Sequence, residues 1–271
     1  MDLLIGTLTL RPYVFAFLAA FLAAGIVDLG GRRTLLFAAW VGPMVWVAEF
    51  SSTRIGIPFG LYHYTGSTHG QELFVANVPV MDSLSFIFLA YASLSLARAA
   101  LRGRRAPAPV LALFSGVLMM LLDVVMDPVA VQGDRWFLGR IFYYPDGGIY
   151  FGVPLSNFAG WVVVGTVAAG GFLYLSGWHE PGSQPGWARP RHIEDSRQGR
   201  GRPSPGVSRG RCWPGIALYY AVFGFNLAIT AWLGEWLLVT VGAGIHGLTA
   251  AIVWSLSQRP AEGLGLEKQQ A

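Results

Sequence analysis

The residues best suited to chemistry in this chain are carboxylic acids placed where acids are rare. Glu49, Asp82, Asp123, Asp127 and Glu235 stand within or at the ends of long apolar stretches, accompanied by the amides Asn157 and Asn226. An ionised carboxyl in hydrocarbon is costly, so it faces a cavity, pairs with a cation or keeps its proton. A carboxyl that keeps its proton near neutral pH is a general acid, and an ionised neighbour can act as base or steady a developing cation. Asp123 and Asp127 are four apart in Leu122-Asp123-Val124-Val125-Met126-Asp127-Pro128 and so share one helix face. Such acids are expected to share protons as a cluster. The pattern points to proton chemistry on something lipid-soluble.

The elements that must position these acids are membrane spans. With 54% hydrophobic and 13% charged residues, the chain is too apolar for an ordinary soluble domain. Candidate spans cover 12–29, 34–50, 80–97, 109–126, 155–177, 214–233 and 236–256, close to the ~17–25 residues that cross a hydrocarbon layer. The fold class expected is an all-α integral membrane protein, a seven-transmembrane helical bundle filling residues 1–257. The first stretch lacks a small-residue cleavage pattern and reads as a span rather than a signal peptide. Pro128 marks an exit from the fourth helix.

Charge then orients the bundle. Of the 19 Lys and Arg, fifteen fall on the side formed by loops one, three and five and the C-terminal tail, and four (Arg11, Arg54, Arg135, Arg140) on the other. The positive-inside rule predicts the N-terminus outside and the C-terminus in the cytoplasm of a cell membrane. Basicity is thus a topology signal, and no nucleic-acid partner is expected. The Gly-, Pro-, Ser- and Arg-rich loop at about 179–211 reads as a disordered cytoplasmic linker, as does the tail 258–271.

With this topology the acids come to one depth in the outer half of the membrane. Glu49 ends an outward helix, Asp82 opens an inward one, Asp123 and Asp127 end the next, Asn157 opens its return, and Asn226 and Glu235 flank the last hairpin. Blander roles remain open: Asp82 and Asn157 as helix N-caps, Asp127 and Glu235 facing water, and Glu49 paired with Arg54. Two uncharged, aromatic outer segments accompany the acids. Gly56-Ile57-Pro58-Phe59-Gly60-Leu61-Tyr62-His63-Tyr64 is expected to dip into the bundle mouth, where irregular backbone is permitted if protein or water satisfies it. The second contains Trp136, Phe137, Tyr143, Tyr144 and Tyr150. Their rings can line a slot for an elongated polyene and stabilise positive charge.

Other chemistries have less support. A metal cage of His63, Glu49 and an aspartate is conceivable, but no HxxxH or HExxH pattern lies on a helix, and no metal is expected. His246 reads as a hydrogen-bonding residue between helices. The single Cys212 excludes an intrachain disulfide. No Gly-rich phosphate loop follows a strand. A weak internal echo is present: Asn77-Val78-Pro79-Val80-Met81-Asp82 resembles Gly152-Val153-Pro154-Leu155-Ser156-Asn157, and Glu49 is offset from Asp123 by a similar interval. Parallel repeats of this kind would set Glu49 with Asp82 and Asp123 with Asn157 across a shared cavity.

The chain resembles the bacterial and archaeal carotenoid-biosynthesis membrane family that includes bisanhydrobacterioruberin hydratase and CruF-like carotenoid 1,2-hydratases. The resemblance rests on Glu49 followed by Gly56-Ile57-Pro58-Phe59-Gly60-Leu61-Tyr62-His63-Tyr64-Thr65, on Val78-Pro79, on Asp123-Val124-Val125-Met126-Asp127-Pro128-Val129-Ala130, and on Tyr150-Phe151-Gly152-Val153-Pro154-Leu155-Ser156-Asn157-Phe158-Ala159-Gly160-Trp161. Asn77 departs from the Gly that similar proteins favour before Val-Pro.

The resemblance implies addition of water to the terminal 1,2 double bond of a lycopene-like, γ-carotene-like or C50 polyene, giving a tertiary alcohol at C1 without a cofactor. Membrane lipid, water and other carotenoid-pathway membrane enzymes are the implied partners. Joined to the residue inventory, it assigns Asp123 as acid, with Asp127 or Glu49 as water-orienting base. Asp82 and Asn157 would position water, and Tyr62, Tyr64 and Tyr144 would face the cation. His63, Asn226 and Glu235 complete the expected substrate- and water-positioning set. The rival readings are a proton-coupled transporter using the same acids, and a carotenoid-binding protein without turnover.

Overall fold

Prolines and glycines decide where the helices begin and end in the computed structural model, which describes residues 2–102, 104, 106–135, 138–177 and 212–258. Helix α1 (Asp2–Leu10) stops at Arg11, and Pro12 opens α2 (Pro12–Asp28) at the position where a missing N–H is free of cost. Helix α3 (Gly31–Ile55) closes on Gly56, which is left-handed (φ +75°) and donates its N–H to Ser52 O. Extended Pro79, Pro107 and Pro154 precede α4 (Val80–Ala100), α5 (Ala108–Ala130) and α6 (Leu155–Leu175). Helices α7 (Trp213–Trp232) and α8 (Trp236–Gln258) complete the order.

Helices α3 to α8 are each long and apolar enough to cross a membrane. Leu3–Leu10 and Pro12–Asp28, bent by 77° at Arg11, make a seventh crossing if counted as one span. The protein is therefore a mostly helical, multi-pass membrane protein. Three local expectations change. Helix α1 precedes the expected start at Pro12, and Gln258 belongs to α8 rather than to a tail. Pro128 lies inside α5, which runs on to Ala130. A proline one turn from a helix end forfeits little, and the last turn still closes through Val131 N–H to Asp127 O at 3.0 Å.

Helix α4 is the axis of the bundle. It is buried on nearly every face from Phe86 to Arg98, as a helix that is apolar all round must be. Around it, α5 and α6 pack closely because Gly116 meets Gly165. A Cβ on Gly116 would stand 2.4 Å from Val162 O, and one on Gly165 2.8 Å from the Gly116 Cα. This small-residue contact sits two turns from Asp123 on α5 and two turns from Asn157 on α6, and it holds that pair in register.

The outer segments are partly strands, which the all-α expectation did not include. Strand β1 (His63–Tyr64), β2 (Phe74–Val75), β3 (Val78–Pro79) and β4 (Phe142–Tyr143) form two antiparallel pairs, β1 with β4 and β2 with β3. In the first, His63 faces Tyr143 and Tyr64 faces Phe142. Residues Pro58 and Phe59 do dip into the bundle: a Cβ on Gly160 would lie 2.6 Å from Pro58 O, and Phe59 is buried against Phe86 and Trp161. Trp136, Phe137, His179, His192, the expected linker 179–211 and residues 259–271 lie outside the described residues.

Candidate active site

A cavity of about 150 Å³ opens where the acid-bearing ends of α3, α4, α5 and α6 meet. Glu49 from α3, Asp82 from α4, Asp127 from α5 and Asn157 from α6 line it, with Asn226 entering from α7. Tyr62, Tyr64 and Tyr144 line it from the aromatic segments, and Phe86, Phe88 and Trp161 supply apolar wall. The ring contacts Tyr62–Tyr64 (5.4 Å), Tyr62–Tyr144 (5.9 Å) and Tyr64–Phe142 (6.5 Å) tie the three tyrosines together. Burial holds the Tyr62, Tyr64 and Tyr144 phenols well above their ordinary range, reinforced at Tyr62 by Glu49, at Tyr64 by Asp82 and at Tyr144 by Asp127. They are neutral hydroxyl donors.

Two carboxyl centres face this space. In one, Asn157 Nδ2 donates to Asp123 Oδ2 at 2.6 Å and to Asp127 Oδ2 at 2.8 Å, and the Tyr144 hydroxyl donates to the same Asp127 oxygen at 3.0 Å. Asp123 is wholly buried, and its Oδ1 has no hydrogen-bond partner. Asp127 lines the cavity and Asp123 lies a turn deeper behind it. In the other, Glu49 accepts from Ser83 Oγ at 2.5 Å and from the Tyr64 hydroxyl at 3.2 Å. Asp82 interacts electrostatically with both Glu49 and Asp127.

Asp82 is paired with Arg11, whose Nη2 also donates to Glu72 Oε1 at 2.7 Å. Arg11 is 2% and Glu72 1% exposed, a buried ion pair at the α1–α2 bend, while Asp82 joins them from the cavity wall with its side chain 18% exposed. Buried charges persist only when paired in this way.

Most expected site residues are thus brought together, with some corrections. Asp82 and Asn157 are not N-caps: each sits at the third position of its helix, behind an extended proline. Glu49 does not pair with Arg54, whose guanidinium lies over the Phe50 ring and contacts Asn77 Oδ1 at 3.3 Å. Glu235 stays out of the cavity and pairs with Arg135 at 2.5 Å beside the α7–α8 turn, a half-exposed bridge. His63 is half-buried on β1 against the Tyr143 ring and does not line the cavity. Asn226 does line it, and its Nδ2 donates to Val222 O at 2.9 Å. His246 joins helices as expected, its Nε2 at 3.0 Å from Leu121 O and its ring stacked on Phe223. Among the described residues no three or more His, Cys, Asp or Glu side chains are arranged to hold a metal ion.

Arg11, Glu72 and Ser83 were missed. Ser83 had a usable signal, because Glu49 to Asp123 and Ser83 to Asn157 share one 74-residue offset. The internal echo therefore pairs Glu49 with Ser83, one residue beyond the expected Asp82. At the far ends of α2 and α4, Arg98 Nη1 donates to buried Asp28 at 2.7 Å, beside Tyr91. Phe21 and Phe37, whose rings pack on Tyr91 beside that pair, are fully buried.

Comparisons with known proteins give the chain a family. A family model described as "Carotenoid biosynthesis protein" matches residues 8–189, a stretch that holds Arg11, Glu49, Asp82, Asp123, Asp127 and Asn157. A protein named bisanhydrobacterioruberin hydratase, from Haloarcula japonica, is 30% identical over 224 residues, which cover 83% of this chain and 67% of that protein. No solved structure matches at a significant level.

Proposed function

Since the chain belongs to the carotenoid biosynthesis protein family, we propose that it hydrates the terminal 1,2 double bond of an acyclic or monocyclic carotenoid. One observation carries this reading: three carboxyls from three helices line one small aromatic-walled cavity inside a membrane bundle. A hydratase of an unactivated alkene needs an acid, a water-directing base and a setting that tolerates a cation. Each of these has a residue here.

Asp127, in place of the Asp123 assigned from the sequence, is the proton donor, because it and not Asp123 lines the cavity. Its carboxyl reaches the cavity and shares the Asn157 amide with Asp123, so the two aspartates hold one proton between them and Asp123 resupplies it. Transfer of that proton to C2 breaks the C1–C2 π bond and leaves a tertiary cation at C1. The Arg11–Asp82 pair keeps a fixed anion beside the cavity, while the faces of Tyr62, Tyr64 and Tyr144 contribute their negative quadrupoles. Water then adds its oxygen to C1 and gives its extra proton to Glu49, which Ser83 and Tyr64 orient. A proton passed from Glu49 through water to the aspartates closes the cycle. Electrostatic stabilisation of this kind is strongest where bulk water is excluded.

In the same reading the bundle crosses the cell membrane seven times with its N-terminus outside and C-terminus inside, an orientation that the arginine distribution supports, and the site lies near the extracytoplasmic face. The deciding experiment supplies membranes holding the protein with an acyclic carotene in H₂¹⁸O under nitrogen. Labelled tertiary alcohol is expected, and its absence in active-membrane controls rejects the reading. Uptake of ions or protons without alcohol would favour transport, and bound but unchanged pigment a carrier.

A further inference from the structure

A second space lies between α2 and α7, a groove of about 590 Å³ open to the side of the bundle. Its walls are Ala16, Ala20, Ala23 and Ala24 on one helix and Ala217 and Ala221 on the other, ending near Val27 and Trp213. Phe17 borders both this groove and the acid cavity. Its ring lies 5.4 Å from Phe88 and 5.6 Å from Phe225, and both of those line the cavity. The two spaces are therefore neighbours divided by an aromatic throat.

We infer that the groove holds the polyene chain of the carotenoid while its terminal alkene passes Phe17 to reach Asp127. This rests on the hydration reading for the identity of the occupant. Dimensions and chemistry agree with it. From Phe17 to Val27 α2 rises about 15 Å, at ~1.5 Å per residue, or roughly half of a ~30 Å hydrocarbon layer. Small methyl walls admit a slender, rigid, methyl-bearing chain. Apart from the Trp213 indole no lining side chain carries a polar group, so nothing there would recognise a headgroup or a sugar. The lateral opening lets the substrate arrive from the bilayer while the acids stay covered by the tyrosines.

The test fills the groove without touching the acids. Ala20→Phe, with the milder Ala20→Leu and Ala217→Leu, is compared with Val163→Phe on the exposed face of α6. The full-length variants are purified from carotenoid-producing cells. Pigment-to-protein ratio is read by absorbance, and ¹⁸O-hydration is measured on the long carotene and on a short monoterpene-sized alkene with the same end group. Filling should lower pigment content and long-chain hydration by roughly tenfold, equivalent to ~1.4 kcal/mol, with short-alkene hydration within about twofold of the parent and the Val163 variant unchanged.

Wild-type pigment content and long-chain turnover in the filled variants would overturn the assignment. So would a parallel loss on both alkenes, or loss of co-purified phospholipid with pigment retained. If Ala20→Phe fails to accumulate in membranes, the two leucine variants decide by the same readouts. A parent that hydrates neither alkene, yet loses pigment only on filling, removes the hydration reading and leaves the groove as a pigment site.

Discussion

Replacing Asp127 by Asn separates proton donation from shape. The Asn carbonyl can still accept from Asn157 Nδ2 and the Tyr144 hydroxyl, the two donors now at 2.8 and 3.0 Å from Asp127 Oδ2. No buried donor is orphaned, so stability in detergent should change by less than about 1 kcal/mol. The acid itself is gone. Loss of a general acid typically lowers rate by 10²–10⁴, or about 3–5.5 kcal/mol at ~1.4 kcal/mol per decade.

Asp123→Asn should lower the rate comparably, although Asp123 lies behind Asp127, because the pair shares the Asn157 amide. The double variant should then fall no more than about tenfold below the worse single one, since residues acting as a unit are non-additive. The assay is incorporation of ¹⁸O into tertiary alcohol, normalised to protein in the membrane and read by mass spectrometry. Labelling by Asp127→Asn within about threefold of the parent would refute the acid role. Additive losses in the double variant would refute proton sharing.

Further outcomes follow from the surroundings. Arg11→Met strands Glu72 as a buried, unpaired anion and removes the partner of the part-exposed Asp82, and should cost about 3–5 kcal/mol in unfolding free energy, with part of the loss recovered by adding Glu72→Gln; detergent melting curves measure both. Glu235→Gln should leave hydration within about twofold of the parent and stability within ~1 kcal/mol, because its bridge to Arg135 is solvent-screened and outside the cavity. Tyr62, Tyr64 and Tyr144 have raised phenol pKa values, so their neutral forms favour the folded state fully below ~10, and that contribution is lost only as pH rises through the higher folded values. Tyrosinate absorbance at pH ~11 should therefore be equal for the folded parent and the triple Phe variant, and smaller for the variant once both are denatured.

The apolar stretches, their bounding prolines and the i, i+4 aspartates were legible because each is a local pattern. Asn157 was legible too, through its Val-Pro entry and its match to the first half of the chain. Arg11 was not, since its role depends on a bend that brings residue 11 to residues 72 and 82, and nothing local marks it as buried. Glu235 was misjudged for the same reason: proximity to the membrane end was visible, but the position of Arg135, a hundred residues away, was not. The four strands are two residues each, too short to leave an alternation in the sequence. Depth along a helix is readable from the chain. Which side chain answers it from another helix is set by packing, and Gly116 against Gly165 announces itself only once the partners are known.

The antiparallel join of β1 with β4 is a seam between the two outer aromatic segments, one edge stitched from each. A seam two residues wide holds by few backbone bonds, whereas neighbouring helices hold by side chains packed along their length. The cover of a cavity lined by three carboxyls thus includes a join made of two-residue strands.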